Sequence, residues 1–202
     1  MIRKRTTLTT AEKRRWLITL LFLVVLCGVL CSLLRFLWNH DTPVFWWHRL
    51  PGCFFFEKAS AMTLWMQSLF GGMLILLCLF LFGFSAIGQP GALVTLMGYG
   101  FCLGEALRLQ CAGAYAAIHC IALLPYYVPL SMLLVIASRE SLRFSGRFTA
   151  YGFRDEPTEN MCHQFRLYCT RFAVLLLILT LLSLLYSLGF SGLAAASSRV
   201  VT

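Results

Sequence analysis

Few residues in this sequence could carry out chemistry, and they do not form a known catalytic motif. Glu105 and Arg108 are three residues apart, so that on a helix they share one face and can pair. Glu105 is the one carboxylate between Lys58 and Glu140, whereas general acid–base catalysis usually needs two coordinated groups. The sequence contains no HExxH, no GxSxG and no nucleotide-binding P-loop. We therefore predict a protein that is not an enzyme and that has no cofactor.

Cys162, His163 and Cys169 are the residues that come closest to a metal-binding pattern. A zinc site would need a fourth ligand and more closely paired spacing, because structural zinc is held by four ligands in tight pairs. We interpret these three as ordinary residues of a connecting segment and predict no metal site. His119 has no acidic partner in the sequence around it, and its role stays open.

The composition excludes a soluble protein. Of the 202 residues, 59% are hydrophobic and 12% are charged, and Phe occurs 17 times against 8 acidic residues. Soluble domains are about a quarter charged, and a chain of this size cannot bury so much apolar surface in one core. These proportions rule out a soluble enzyme, a disordered regulator and a secreted disulfide scaffold. They predict an all-α polytopic protein of the membrane, with the lipid bilayer as its solvent.

The charged residues leave four long uncharged windows, which we expect to hold five transmembrane helices. About 20 apolar residues are needed to cross the hydrocarbon, and the 46-residue window between Lys58 and Glu105 is long enough to fold back on itself. We place its turn at the helix breakers of residues 88–91. The first span lacks a small-x-small cleavage site after it, so we expect it to be retained. The predicted spans are residues 16–34, 69–87, 92–107, 111–137 and 172–196.

The distribution of basic residues predicts the orientation of residues 1–202, taken as one integral membrane domain. Six Lys and Arg residues lie in the tail 1–15 and six in the segment 138–171, against five in the segments expected outside. Because basic residues concentrate in cytoplasmic segments, we predict a cytoplasmic N-terminus and an outer C-terminus. The positive charge is thus a topology signal and an attraction to anionic lipids, and we predict no nucleic-acid partner.

The predicted outer segment, residues 38–67, is rich in aromatic side chains. Such a density is typical of the headgroup zone, where a ring meets lipid on one side and water on the other. A docking surface for a protein outside the membrane is the second interpretation, and both can hold. The candidate docking residues are Trp46, Trp47, Phe54, Phe55 and Phe56.

The predicted cytoplasmic segment, residues 138–171, begins with a periodic basic stretch. Arg139, Arg143 and Arg147 recur every four residues, which places them on one side of a helix, with aromatic residues among them. We expect this stretch to lie on the inner leaflet as an interfacial helix that ends at the acidic residues 155–159.

Small residues indicate close helix packing between the third and fourth spans. Gly98, Gly100 and Gly104 lie in the third span, and Gly113 and Ala117 lie in the fourth. Small side chains let helix backbones approach closely in a membrane, where no hydrophobic effect drives them together. We expect an intramolecular hairpin rather than dimerisation through this face, and homo-oligomerisation stays open.

Pro125 and Pro129 interrupt the fourth span. Two prolines four residues apart remove two backbone donors, and each ring clashes with a carbonyl one turn earlier. We expect a kink or a break into two half-helices, and whether the span is kinked or re-entrant stays open. A broken helix can line a transport site, although a kink that shapes packing is the commoner case.

Several of these features together resemble the stage II sporulation protein M family, over about residues 70–145. The resemblance follows the order and spacing of an apolar stretch with its turn, a Gly-aromatic helix, a Leu-Pro break and the segment after it. The corresponding residues are 79–90, 98–104, 123–125, Pro129 and 138–145.

The resemblance implies a non-enzymatic membrane scaffold of the engulfment machinery in endospore-forming bacteria. Proteins of that family recruit a peptidoglycan amidase/endopeptidase, which associates with a lytic transglycosylase, to thin the septal wall while the forespore is engulfed. We accordingly expect peptidoglycan hydrolases as partners and the septal membrane as the site during sporulation. The alternative is a small-solute transporter or a membrane subunit of a transport complex, supported by His119 and the Pro125/Pro129 break. An intramembrane protease would need a catalytic pair that is missing from the sequence.

Overall fold

The protein is all-helical in the part of the chain that the computed structural model describes, residues 10–38, 61–85, 87–111, 116–154 and 161–200. The predicted all-α class is therefore confirmed for these residues. Five helices follow one another along the chain: α1 (Thr10–Trp38), α2 (Ala61–Gly83), α3 (Gly88–Cys111), α4 (Ala116–Arg154) and α5 (Met161–Val200).

Three of these helices are long and apolar enough to cross a membrane. Their apolar stretches are Arg15–Leu34 in α1, Ala61–Gly83 in α2 and Cys162–Gly189 in α5, and at most a third of each apolar window is buried inside the protein. The outward side chains are large and hydrophobic, for example Leu177 and Leu185, which are 60% and 67% exposed. Apolar surface on this scale needs a lipid environment or a partner, and these helices indicate a membrane protein.

Helices α1 and α3 pack closely and run parallel. Val25 of α1 lies against Gly100, and seven residues later Ser32 lies against Gly104. Residue numbers therefore rise together along both helices. Since α2 lies between them in the chain, it must return in the opposite direction.

Helices α2 and α4 also run parallel to each other. Near one end, the hydroxyl of Tyr126 donates a hydrogen bond to the carbonyl oxygen of Ser68 at 3.2 Å. Near the other end, the hydroxyl of Ser145 donates to the carbonyl oxygen of Ser85 at 2.7 Å. These two contacts fix α4 in the same direction as α2.

Helix α5 is antiparallel to α4. Tyr126 stacks on Tyr186 with ring centroids 4.4 Å apart, whereas Phe144 contacts Phe165 at 6.5 Å. As residue numbers rise in α4 they fall in α5. The five helices thus alternate in direction along the chain.

The core lies where these helices meet. Leu21 of α1, Leu79 of α2, Leu96 of α3, Leu134 of α4 and Leu179 of α5 are fully buried. They belong to one continuous hydrophobic cluster. The buried residues of α1, α2 and α5 follow one side of each helix and leave the other side exposed, whereas α4 is buried on several sides at residues 133–135.

The turn between α2 and α3 lies earlier than predicted. Helix α2 ends at Gly83 and α3 begins at Gly88, so residues 88–91 form the first turn of a helix instead of the expected loop. Pro90 is tolerated there because the first backbone N–H groups of a helix have no intrahelical acceptor. Ser85 closes the turn, because its carbonyl accepts from the Gly88 N–H at 2.9 Å and its hydroxyl from the Ile87 N–H at 3.2 Å.

Helices extend into both predicted connecting segments, residues 38–67 and 138–171. Helix α2 begins at Ala61, inside the predicted outer segment 38–67. Helix α4 continues to Arg154, and α5 begins at Met161, so the basic stretch continues α4 and is not a separate interfacial helix. Charged residues indicate where the hydrocarbon can end. A helix can nevertheless continue past them, because its backbone N–H and C=O groups bond to one another. At 39 and 40 residues, α4 and α5 are each about 60 Å long, roughly twice the hydrocarbon thickness.

Helix α4 also continues through its two prolines. Both Pro125 and Pro129 lie inside the helix, so the chain does not divide into two half-helices there, and the alternative of a kink stays a prediction. Next to them, the hydroxyl of Ser131 donates to the carbonyl oxygen of Tyr127, one turn earlier in the same helix, at 2.7 Å.

Candidate functional site

Several residues singled out in the sequence fall outside what the structure describes. The aromatic docking candidates Trp46, Trp47, Phe54, Phe55 and Phe56 belong to this group, as do Gly113 and the side chains of Arg108, Ala117 and His119. Their roles stay predictions.

Gly100 and Gly104 of α3 lie against α1, whereas the sequence predicted that these glycines pack on the fourth helix. A Cβ atom on Gly104 would lie 2.8 Å from the Cβ of Ser32. A Cβ on Gly100 would lie 3.0 Å from the carbonyl carbon of Val25 and closer still to its oxygen, while Gly98 is half-buried. On α1, Gly28 and Ser32 are also four residues apart, so both helices present small residues at the same spacing. Because α1 and α3 are not neighbours along the chain, this complementary pair was not predicted from the sequence.

Glu105 is buried beside these glycines. It is 7% exposed, and its Oε1 accepts a hydrogen bond of 2.9 Å from the hydroxyl of Ser32. From the sequence, Arg108 was the expected partner of Glu105, and a partner on α1 was not anticipated. Its position indicates that the carboxylate helps to fix the register of α1 on α3.

The polar residues near the prolines hold helices together. Tyr126 is 2% exposed, bonds to the backbone of Ser68 on α2 and stacks on Tyr186 of α5. The hydroxyl of Tyr99 on α3 pairs with that of Ser131 on α4 at 3.0 Å. These contacts link α4 to three other helices.

A cluster of aromatic rings joins α2, α4 and α5 at the opposite end of the bundle. Tyr168 is 3% exposed, and its hydroxyl donates to the carbonyl oxygen of Phe80 at 2.9 Å. Its ring stacks on Phe144 at 4.4 Å and contacts Phe84 and Phe172 at 5.6 and 4.7 Å. The cluster fixes the first turns of α5 against α4.

A polar cleft of about 250 Å³ lies beside this cluster, between α4 and α5. We call it the arginine cleft. Arg143 and Arg147 line it from α4, and His163 and Arg171 line it from α5. Glu140 is the one carboxylate among the residues that line it.

The charges of the arginine cleft are partly balanced. Arg171 bonds to Glu140, which Arg139 also approaches at 3.9 Å. Arg147 donates to the side-chain oxygen of Gln164. Burial and the neighbouring Arg143 and Arg171 lower the pKa of Arg147, although Glu140 acts in the opposite direction. Positive charge is therefore crowded on the cleft wall, and an anion there would be stabilised.

Cys162, His163 and Cys169 do not converge as metal ligands. No group of three or more His, Cys, Asp or Glu residues is suitably arranged within the described parts of the chain. Cys162 is exposed, Cys169 is half-buried, and His163 faces the arginine cleft. The sequence interpretation treated all three as parts of a loop and so did not predict that His163 and Arg171 share a site with Arg143.

Comparisons of the chain with protein-family models, with curated proteins and with solved structures found no match. Function is therefore inferred from the sequence and from the geometry of the described residues.

Proposed function

We propose that this protein is a non-enzymatic scaffold that crosses a bilayer five times, with its N-terminus in the cytoplasm and its C-terminus outside. The alternating directions of the five helices support this topology, because an odd number of antiparallel crossings leaves the chain ends on opposite faces. The excess of basic residues in the tail 1–15 and the segment 138–171 supports the cytoplasmic assignment of those segments.

The packing of α3 and α4 supports counting them as crossings. Helix α3 is 24 residues long, or about 36 Å, and it lies parallel against the apolar part of α1. Its buried Glu105 faces Ser32 of α1 and not the lipid. Helix α4 lies in the same way along α2 and α5, so both helices share the depth of their apolar neighbours.

The scaffold function rests on the resemblance to the stage II sporulation protein M family. On that basis the protein recruits peptidoglycan hydrolases to the septal membrane during forespore engulfment, with residues 46–56 as the docking segment. The observation that favours a scaffold over a transporter is the placement of Tyr126. Its hydroxyl and ring are used in contacts with α2 and α5, so the polar residue nearest the prolines acts in packing.

Detergent co-purification from sporulating cells tests the proposal. We expect wall hydrolases to remain bound to the natural chain and to be lost from the variant Trp46→Ala/Trp47→Ala. The matched control is Trp16→Ala, which removes a 67% exposed tryptophan near the N-terminal end of α1, away from the docking segment in sequence. This variant should retain the hydrolases. Recovery of a solute-transport ATPase in place of hydrolases would contradict the scaffold.

A second experiment separates the scaffold from a transporter. The variant Tyr126→Phe removes one hydrogen bond and keeps the ring stack, so we expect a loss of about 1 kcal/mol in the free energy of unfolding. Hydrolase binding should not change. A change in solute flux through proteoliposomes that contain Tyr126→Phe would support the transporter instead.

A further inference from the structure

The arginine cleft has the composition of a binding site for a multivalent anion. Three guanidinium groups, those of Arg143, Arg147 and Arg171, line it together with one carboxylate, Glu140. Each guanidinium presents several donors in a planar fork that matches phosphate oxygens. Because Arg171 already bonds to Glu140, Arg143 and Arg147 carry the charge that this carboxylate does not balance.

The cleft lies level with one end of the apolar part of the bundle. Ser145, between the two α4 arginines, bonds to Ser85 in the turn that follows α2. The apolar stretch of α2 ends at Gly83, just before that turn. The cleft therefore lies where hydrocarbon gives way to headgroups, in the orientation proposed above on the cytoplasmic side.

Apolar side chains border the same cleft. Leu167 lines it and is 43% exposed, and Phe165, whose ring contacts that of the lining residue Phe144, is also 43% exposed. A site that combines arginines with exposed apolar side chains matches a molecule that carries both a phosphate and acyl chains.

We propose that the arginine cleft binds a phosphate group between α4 and α5, with Arg143 and Arg147 as the principal donors and Arg171 as a third. The position of the cleft makes the headgroup of an anionic phospholipid its source, and a soluble phosphate compound would use the same donors. Bound there, the phosphate bridges α4 and α5 and stabilises their hairpin. This binding is independent of which partner the scaffold recruits.

The test measures how phosphatidylglycerol raises the thermal unfolding midpoint of the full chain in a neutral detergent. A ligand that binds only the folded state stabilises it by RT ln(1 + [L]/Kd), so a weaker site needs proportionally more lipid for the same shift. The variant Arg143→Gln/Arg147→Gln removes two cleft charges. The matched control Arg15→Gln/Arg166→Gln removes two exposed arginines that do not line the cleft, so the net charge is the same in both. Inorganic phosphate is titrated in a parallel series.

We expect the cleft variant to need about 25-fold more phosphatidylglycerol for the same stabilisation, from about five-fold for each arginine near an anionic headgroup. The control should stay within about three-fold of the natural chain. If the cleft variant is itself unstable, Arg143→Gln alone should show about a five-fold loss. Each midpoint without lipid reports whether the variant is folded.

The two titrations distinguish the sources of the phosphate. A cleft-dependent effect of phosphatidylglycerol without one of inorganic phosphate identifies a lipid headgroup. The same cleft-dependent effect with inorganic phosphate alone identifies a soluble phosphate compound. Equal losses in the cleft and control variants, or no loss in either, would overturn the proposal, because binding would then be general surface attraction.

Discussion

The contact between α1 and α3 leads to a quantitative prediction for Gly100→Ala. The new Cβ would lie 3.0 Å from the carbonyl carbon of Val25 and closer still to its oxygen, whereas ordinary contact begins at 3.4 Å. Both are backbone atoms and cannot rotate away. The helices must therefore separate by more than about 0.4 Å, which loosens the neighbouring contacts of Gly104 with Ser32.

The size of the effect follows from overpacking. Inserting a methyl group into a closely packed contact costs about 1–3 kcal/mol. Replacing Gly by Ala in a helix also changes the backbone propensity by up to about 1 kcal/mol in the favourable direction. We therefore compare Gly100→Ala with Gly189→Ala, a reference variant in α5 that gains the same helix propensity. A Cβ on Gly189 meets nothing within 4 Å, so this variant has no overpacking cost.

The assay is reversible unfolding in mixed micelles with increasing SDS, followed by circular dichroism. We expect Gly100→Ala to be about 1–3 kcal/mol less stable than Gly189→Ala. Gly28→Ala should behave like Gly100→Ala, since its Cβ would lie 2.8 Å from the backbone nitrogen of Phe101. If Gly100→Ala proves as stable as Gly189→Ala, the backbones of α1 and α3 do not approach each other as closely as described.

Two further substitutions test buried hydrogen bonds by the same unfolding assay. Ser32→Ala removes the donor to Glu105 and should cost about 1–3 kcal/mol, because the buried carboxylate loses a partner. The control Thr180→Ala, whose hydroxyl bonds within its own helix on an exposed face, should cost much less, and equal losses would contradict the role of Ser32. Tyr168→Phe removes the bond to the Phe80 carbonyl but keeps the ring, so we expect a loss of about 1 kcal/mol. Tyr168→Leu also removes the ring stacking and should lower the free energy of unfolding more than Tyr168→Phe does. If the two variants lost the same amount, ring stacking would contribute nothing beyond burial.

The helical class and the three apolar helices could be predicted from the sequence because they depend on composition and length. Uncharged windows of about 20 residues locate such helices without any knowledge of their partners.

The ends of the helices were harder to predict. Pro90 was taken as part of a loop, although a proline in the first helical turn breaks no hydrogen bond. Charges at Arg139 and Arg143 were taken as the start of a new segment, although α4 continues through them.

The contacts within the sites could not be predicted for a different reason. The GxxxG spacing of Gly100 and Gly104 indicates a close approach but does not identify the partner helix, and Gly28 was not weighed as a candidate. The three arginines of α4 were recognised as sharing a face. The opposite wall of the arginine cleft was missed because Arg171 was placed in a loop. The short connection between α4 and α5 could have indicated this wall, since helices joined by a short connection are antiparallel neighbours.

The most direct test of the account is the location of the two chain ends. A short epitope tag is added to each end of the full chain, and protease is applied to sealed inside-out and right-side-out membrane vesicles. Five crossings predict that the N-terminal tag is cleaved in inside-out vesicles while the C-terminal tag is protected, and that right-side-out vesicles give the reverse. Cleavage of both tags from the same side would contradict the five-span topology and the scaffold built on it.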